Sequence, residues 1–160
     1  MRKYPLPVSS IEGSNLMNEI DLRSRAKIHF SSESADHPVE HMLDGTGGRG
    51  ATFWSGKCAN EMQTIVFEFD EPQNITQLIF EAEELCQERT QEVRAEYSRD
   101  GGAHYRGLFV QEYTFSPAGA TFEREDLKFD LHGVTHVRLY VTPNKHGQGR
   151  ASLTSLRLFG

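Results

Sequence analysis

The chain has 160 residues, which is close to the usual size of a single domain. Hydrophobic residues make up 37% and charged residues 25%, a composition that excludes an intrinsically disordered chain. The net charge of -6 disfavours a general nucleic-acid-binding protein, because such proteins normally carry a basic excess. No segment has the length and apolarity of a transmembrane segment, and the N-terminus lacks the apolar run of a signal peptide. We therefore expect a cytoplasmic protein.

Two cysteines, Cys58 and Cys86, lie far apart in the sequence and form no CxxC pair. This spacing argues against a zinc site or a redox centre. In a cytoplasmic protein both thiols are expected to stay reduced.

The N-terminal segment, residues 1–26, is rich in Pro, Ser, Gly and Asn and shows little periodicity. We interpret it as an extension that lies against the following domain, with a short helical turn within residues 19–25. The folded domain is expected to cover residues 27–160.

From residue 27 onward, apolar and polar residues alternate, as in strands with one buried and one solvated face. The alternating segments are residues 64–70, 78–83, 92–98, 127–131, 136–141 and 156–158. Turn-forming residues separate them at 70–74, 99–102, 116–119 and 143–149. Because no amphipathic helix lies between these segments to cross over a parallel sheet, the pattern predicts an antiparallel β-sandwich or barrel.

Several short motifs occur in an order that resembles a known family. They are IHFSSE at 28–33, PVEHMLDG at 38–45, TFWS at 52–55, YSRDG at 97–101, HVRLY at 136–140 and the closing residues 151–160. Together they resemble the discoidin or coagulation factor type C (F5/8 type C) domain of the galactose-binding-like superfamily. The resemblance implies an all-β, antiparallel jelly-roll sandwich of about eight strands. It also implies a non-catalytic module that binds carbohydrates, lipid head groups or proteins.

The resemblance also implies a candidate calcium site. Asp44 and Thr52 match the positions of a loop that often wraps a calcium ion in carbohydrate-binding relatives. Ser155, however, stands where those relatives place a glutamate, so one of the oxygen ligands that calcium prefers is missing. The alternative is an Asp-Gly turn in which Asp44 accepts backbone N–H bonds.

Residues 45–50 read GTGGRG, which matches the pattern of a phosphate-binding loop. Such a loop needs a strand before it and a helix after it, and neither pattern is present here. We expect instead a mobile glycine-rich loop at the mouth of the sandwich, with Arg49 at its tip. Trp54, the only tryptophan, is expected to pack in the core rather than stack on a sugar.

Residues 81–89 are strongly acidic, where galactose-binding relatives tend to place an Arg and an Asn that hold sugar hydroxyls. Three readings stay open: a solvated acidic loop, a surface for a cationic partner, or a glycosidase-like pair of carboxylates. In the last reading the acid and base come from Glu83, Glu84 or Glu88. The sequence shows no nucleophile motif that would support an enzyme.

The leading hypothesis is a non-catalytic module that binds a carbohydrate or another polar or anionic ligand through loops at one end of the sandwich. A second hypothesis is a protein-interaction or scaffold subunit of a cytoplasmic assembly that uses a sheet face; the oligomeric state stays open. A hydrolase is the third. The predicted ligand-binding residues are Arg49, Arg89, Asn144, Lys145, His146 and Arg150. The basic residues among them suit anionic groups, since guanidinium binds carboxylate and phosphate in a bidentate manner.

Overall fold

The computed structural model describes residues 18–160 and consists mostly of β-strands. Its elements are α1 (Leu22–Arg25), β1 (Ala26–Phe30), a 3-10 helix (Val39–Leu43), β2 (Trp54–Ser55), β3 (Gln63–Glu83), β4 (Arg89–Ser98), β5 (Arg106–Phe115), β6 (Phe122–Gly147), β7 (Ser152–Leu153) and β8 (Ser155–Phe159). All strand pairs are antiparallel. The predicted all-β class and the count of about eight strands are confirmed.

The strands pair in the order β1-β3-β6-β4-β5, and β8 pairs with the second half of β3. A small separate sheet joins β2 to β7. The long strands β3 and β6 run alongside each other through both halves of the sandwich, and their register shifts between Glu68 and Gln77. These irregularities bend the strands, so that β3 and β6 contribute to both layers.

The turn predicted at residues 70–74 is wrong, because β3 continues through it as one bent strand. Pro72 lies within the irregular part of the register, where a missing backbone N–H is tolerated. Turn-forming residues such as Pro and Asn occur where a strand bends as well as where the chain reverses. The sequence alone therefore does not distinguish a bend from a turn.

The core is formed by the apolar residues of the alternating segments. Ile65 and Phe67 of β3 and Val93 and Ala95 of β4 are fully buried, as their alternation predicts. Trp54 is also completely buried, and its Nε1–H donates to the carbonyl of Ser32 at 3.1 Å. The prediction that Trp54 packs in the core is therefore confirmed.

The part of the N-terminal extension that is described packs on the sandwich. Ile20 and Leu22 join the core, and the Ile20 N–H donates to the Leu158 carbonyl at 2.8 Å. The predicted helical turn is confirmed as α1, whose N-cap is Asp21. Residues 1–17 of the predicted extension lie outside the described residues. Within residues 18–160, the helices are too short and too polar to cross a membrane.

Candidate binding groove

A groove of about 360 Å³ opens at the end of the sandwich where β3 ends and β4 begins. Three segments form its walls: the end of β3 with residues 84–88, the segment around β2, and the segment 148–152 that leads into β7. The lining residues are Phe53, Ser55, Ala59, Glu83, Glu84, Leu85, Cys86, Gln87, Arg89, Gly149, Arg150 and Ser152. A concave site with mixed apolar and polar walls is the usual form of a small-molecule site.

The floor of the groove is organised by Arg89, whose side chain is 1% exposed. Its Nε donates to Oε1 of Glu84 at 2.7 Å. Nη1 donates to Oε1 of Gln91 at 2.9 Å and to the Pro143 carbonyl at 3.0 Å, and Nη2 donates to the Ser152 hydroxyl at 3.2 Å. A buried guanidinium needs such partners, because an unpaired charge in the interior is costly. Arg89 therefore ties the acidic segment, β4, β6 and β7 into one rigid floor.

Two glycines let the backbone approach Arg89 closely. A Cβ placed on Gly149 would lie 2.5 Å from Cδ of Arg89. A Cβ on Gly147, where φ is +74°, would lie 2.2 Å from the Glu88 carbonyl oxygen. Both positions accept only glycine without a shift of the surrounding chain. The glycines of the sequence HGQGR thus shape the groove rather than loosen it.

The rim of the groove carries exposed side chains. Arg150 is exposed, and Leu85 is an exposed large apolar residue at 60%. The half-buried ring of Phe53 stacks on His37 with centroids 3.9 Å apart. Arg150 and Arg89 were predicted from the sequence as ligand-binding residues, whereas Phe53, Leu85 and Gln87 were not. The position of Leu85 as a large apolar residue between the glutamates of an acidic loop is the signal that could have identified it.

The glycine-rich loop at residues 45–50 is held in place by two carboxylates of β3. Glu81 accepts the Gly48 N–H and Glu83 accepts the Gly50 N–H, at 2.8 and 2.9 Å. These two hydrogen bonds argue against the predicted mobility of the loop. Arg49 does not line the groove: its Nη1 donates to the Thr121 hydroxyl at 2.9 Å, and its guanidinium lies 5.4 Å from the centre of the Phe122 ring.

The predicted basic loop at residues 144–150 is shorter than expected, because β6 continues to Gly147. Lys145 lies near Glu92 and Glu112, with N–O distances of 3.3 and 3.8 Å, beside β4 and β5. His146 pairs in register with Thr90 of β4. Asn144, Lys145 and His146 are therefore strand residues outside the groove, whereas Arg89 and Arg150 are brought together in it.

Asp44 and Thr52, the candidate calcium ligands, do lie together. Asp44 accepts hydrogen bonds from the Thr52 hydroxyl and from the N–H and hydroxyl of Thr46. Burial acts to raise the pKa of Asp44, but these hydrogen bonds outweigh it and lower the pKa.

The residues around Asp44 do not fit a calcium ion. Calcium prefers six to eight oxygen ligands, usually with several carboxylates. Here Asp44 is alone, since Glu81 and Glu83 are directed at backbone N–H groups instead. Among residues 18–160, no three Asp, Glu, His or Cys side chains form a group that could hold a metal. The arrangement matches the alternative of a hydrogen-bonded Asp-Gly turn.

Two of the three carboxylates considered for hydrolysis accept hydrogen bonds that stabilise the protein. Glu83 accepts the Gly50 N–H, and Glu84 accepts both the Arg89 Nε–H and the Cys86 N–H. Glu88 is exposed and does not line the groove. Both cysteines are exposed and free.

The hypothesis of an interaction surface on a sheet face stays a prediction. Two exposed large apolar residues of the sheet, Phe30 and Val110, lie on β1 and β5. These strands form opposite edges of the sheet, so the two side chains do not belong to one patch.

Comparison with protein families assigns the chain to one family. The model of the F5/8 type C domain matches residues 27–156, so the chain belongs to this family. Comparison with curated proteins finds no match.

Solved structures with the same fold include three CBM32 domains. CBM32-3 from a family 31 glycoside hydrolase of Clostridium perfringens is 16% identical, with a TM-score of 0.66 over 92% of this chain and 97% of that chain. The family 32 CBM from C. perfringens NanJ, in complex with galactose, is 14% identical, with a TM-score of 0.64 over 89% and 98%. CBM32 of AlyQ, in complex with 4,5-unsaturated mannuronic acid, is 17% identical, with a TM-score of 0.60 over 85% and 95%. At these identities the likeness establishes the jelly-roll fold.

Proposed function

We propose that this protein is a non-catalytic carbohydrate-binding module that binds a neutral saccharide in the groove. The groove itself carries the proposal, because it is concave, has mixed apolar and polar walls, and rests on a hydrogen-bonded floor. Two structures with the same fold are complexes with sugars, that of NanJ with galactose and that of AlyQ with 4,5-unsaturated mannuronic acid, and they support a saccharide ligand without deciding its charge. The family supports a binding role rather than catalysis.

The walls of the groove suit a sugar ring. Leu85 and Phe53 offer apolar surface to the C–H face of a pyranose, while Gln87 and Arg150 offer polar groups to its hydroxyls. A rigid aromatic or aliphatic surface combined with a few polar groups gives both affinity and orientation.

The charges of the groove favour a neutral ligand. The two lining carboxylates, Glu83 and Glu84, balance the two lining guanidiniums, Arg89 and Arg150. An anionic sugar would meet these carboxylates, and a cationic one would meet the arginines. A neutral saccharide can hydrogen-bond to either without a net charge mismatch.

Arg89 contributes to the site by fixing its floor. Four of its five N–H groups have partners in the protein, and its side chain is buried. Because the floor is already ordered, a ligand would bind without the entropic cost of ordering it.

A glycan array followed by calorimetry of the best neutral glycan tests the proposal. We expect Leu85→Ala and Arg150→Gln each to weaken binding by about fivefold to twentyfold, the loss of one apolar or charged contact. Arg106→Gln, at the far end of the sandwich, is the matched control and should bind like the wild type. Absence of any binding to neutral glycans, or unchanged affinity in both groove variants, would refute the proposal.

A further inference from the structure

A second cavity lies at the opposite end of the sandwich, beside the hairpin that joins β4 to β5. Its volume is about 280 Å³, and it is lined by Tyr97, Arg99, Asp100, His104 and Arg106. The groove lies at the start of β4 and the hairpin at its end. A strand of ten residues separates two sites by roughly 30 Å, so this cavity is independent of the groove.

Both arginines of the hairpin are neighbours of Tyr97 and line the same cavity. Tyr97 of β4 pairs with Arg106 of β5, so both side chains project from the same face of the sheet. Arg99 follows Tyr97 by two residues, and its guanidinium lies 5.3 Å from the centre of the Tyr97 ring. Tyr97 is 9% exposed, so its buried ring forms a fixed wall of the cavity.

These arginines differ from the paired arginines of the domain. Arg89, Arg124 and Arg138 each lie within 4.0 Å of a carboxylate. Within the part of the chain that is described, neither Arg99 nor Arg106 forms an ion pair. Arg99 donates its Nε–H to the His132 carbonyl at 2.8 Å, which orients the guanidinium and leaves its two terminal NH₂ groups free for a ligand.

Among residues 18–160, the one carboxylate that lines the cavity is that of Asp100, and it is hydrogen-bonded within its own hairpin. Asp100 Oδ1 accepts the Ser98 hydroxyl at 2.7 Å and the His104 N–H at 2.9 Å, and Oδ2 contacts Nδ1 of His104 at 2.7 Å. The backbone hydrogen bond from His104 is the largest of several that lower the pKa of Asp100. The cavity is lined by two guanidiniums and one carboxylate, which leaves an excess of one positive charge.

We propose that this cavity is a second binding site, specific for a small oxyanion such as a carboxylate or sulfate group, with Arg99 and Arg106 as its ligands. The terminal N–H groups of the two guanidiniums bind the anion from two sides, and Tyr97 limits the depth at which it sits. The cavity is wide enough to admit a sugar that carries such a group. This site is distinct from the groove, where the charges of the lining carboxylates and guanidiniums balance.

Nuclear magnetic resonance titration of the whole chain, with sodium sulfate and with sodium D-glucuronate, tests this proposal. Ionic strength is held constant with sodium chloride, because screening weakens exposed charge interactions. We expect both anions to shift the resonances of Arg99 and Arg106, whereas D-glucose leaves them unchanged. Tighter binding of glucuronate than of sulfate, despite its smaller charge, would identify an acidic sugar as the preferred source of the anion. Equal or tighter binding of sulfate would identify a free oxyanion.

Two variants distinguish this site from the groove. Arg106→Gln, at an exposed position, should weaken anion binding by about tenfold or more, as expected for loss of a charge-assisted contact. Arg99→Lys keeps the charge but loses the planar fork, so it should weaken binding less. Arg150→Gln should leave anion binding intact. The proposal fails if neither anion shifts the hairpin resonances, or if a folded Arg106→Gln protein, with unchanged melting temperature, binds them as well as the wild type.

Discussion

The two ends of the sandwich both depend on arginine, but in opposite ways. At the groove, Arg89 is buried and donates to Glu84, Gln91, Ser152 and a backbone carbonyl, so its charge holds the structure together. At the hairpin, Arg99 and Arg106 face solvent without a carboxylate partner among the described residues. Burial forces a charge to find internal partners, whereas exposure leaves it available to a ligand. Arginine thus has a structural role at one end of the sandwich and is available to bind a ligand at the other.

The largest expected effect is on the floor of the groove. Arg89→Ala leaves Glu84 and the buried polar groups of Gln91 and Ser152 without their partner, so it should lower the free energy of unfolding by about 3–5 kcal/mol. Urea denaturation measures it. Arg106→Ala at the hairpin should change the free energy by less than about 0.5 kcal/mol. Equal effects at the two positions would contradict the contrast between a structural and an available arginine.

A pair of glycines tests how tightly each end is packed. Gly149→Ala places a methyl group against Cδ of Arg89 and should cost about 1–3 kcal/mol of unfolding free energy through overpacking. Gly107→Ala, on β5 near the hairpin, meets no atom within 4 Å and should be neutral or slightly stabilising. Both are measured by denaturant titration, and a neutral Gly149→Ala would show that the groove floor can shift.

Asp100 makes the hairpin sensitive to acid. Its pKa is lowered in the folded protein, so it stabilises the fold above the ordinary aspartate pKa, roughly 3.9, and this contribution is lost as the pH falls toward the folded value. Asp100→Asn should therefore lower the melting temperature by a few degrees at neutral pH. The difference from the wild type should shrink below about pH 4. A difference that stays constant between pH 7 and pH 3 would contradict this role.

The smallest expected effect is that of calcium. Because Glu81 and Glu83 already hold the glycine-rich loop and Asp44 is bonded to Thr46 and Thr52, millimolar calcium should leave the melting temperature unchanged. A ligand that binds only the folded state raises this temperature with concentration. A rise that disappears in Asp44→Asn would show that the loop binds calcium after all.

The sequence predicted the sandwich well because alternation records which side chains face the core. The buried residues of β3 and β4 follow that pattern, and Trp54 was correctly expected inside. It predicted the site less well. Asn144, Lys145 and His146 looked like a loop because Pro143 and the glycines resemble a turn, but the chain continues as β6 to Gly147. Pro and Gly indicate a local preference for a turn. Pairing with a neighbouring strand can override that preference, as it does here.

What the sequence by itself determined is the class of fold and the faces of its strands, since period-two alternation depends only on neighbouring residues. What only the tertiary structure decided is the state of each charge. Arg89 and Arg99 are the same residue type in the sequence. In the structure Arg89 is enclosed by polar partners that lie far along the chain, whereas Arg99 borders an open cavity. The difference arises because burial and hydrogen bonding are set by which strand ends meet, and strand alternation does not encode that.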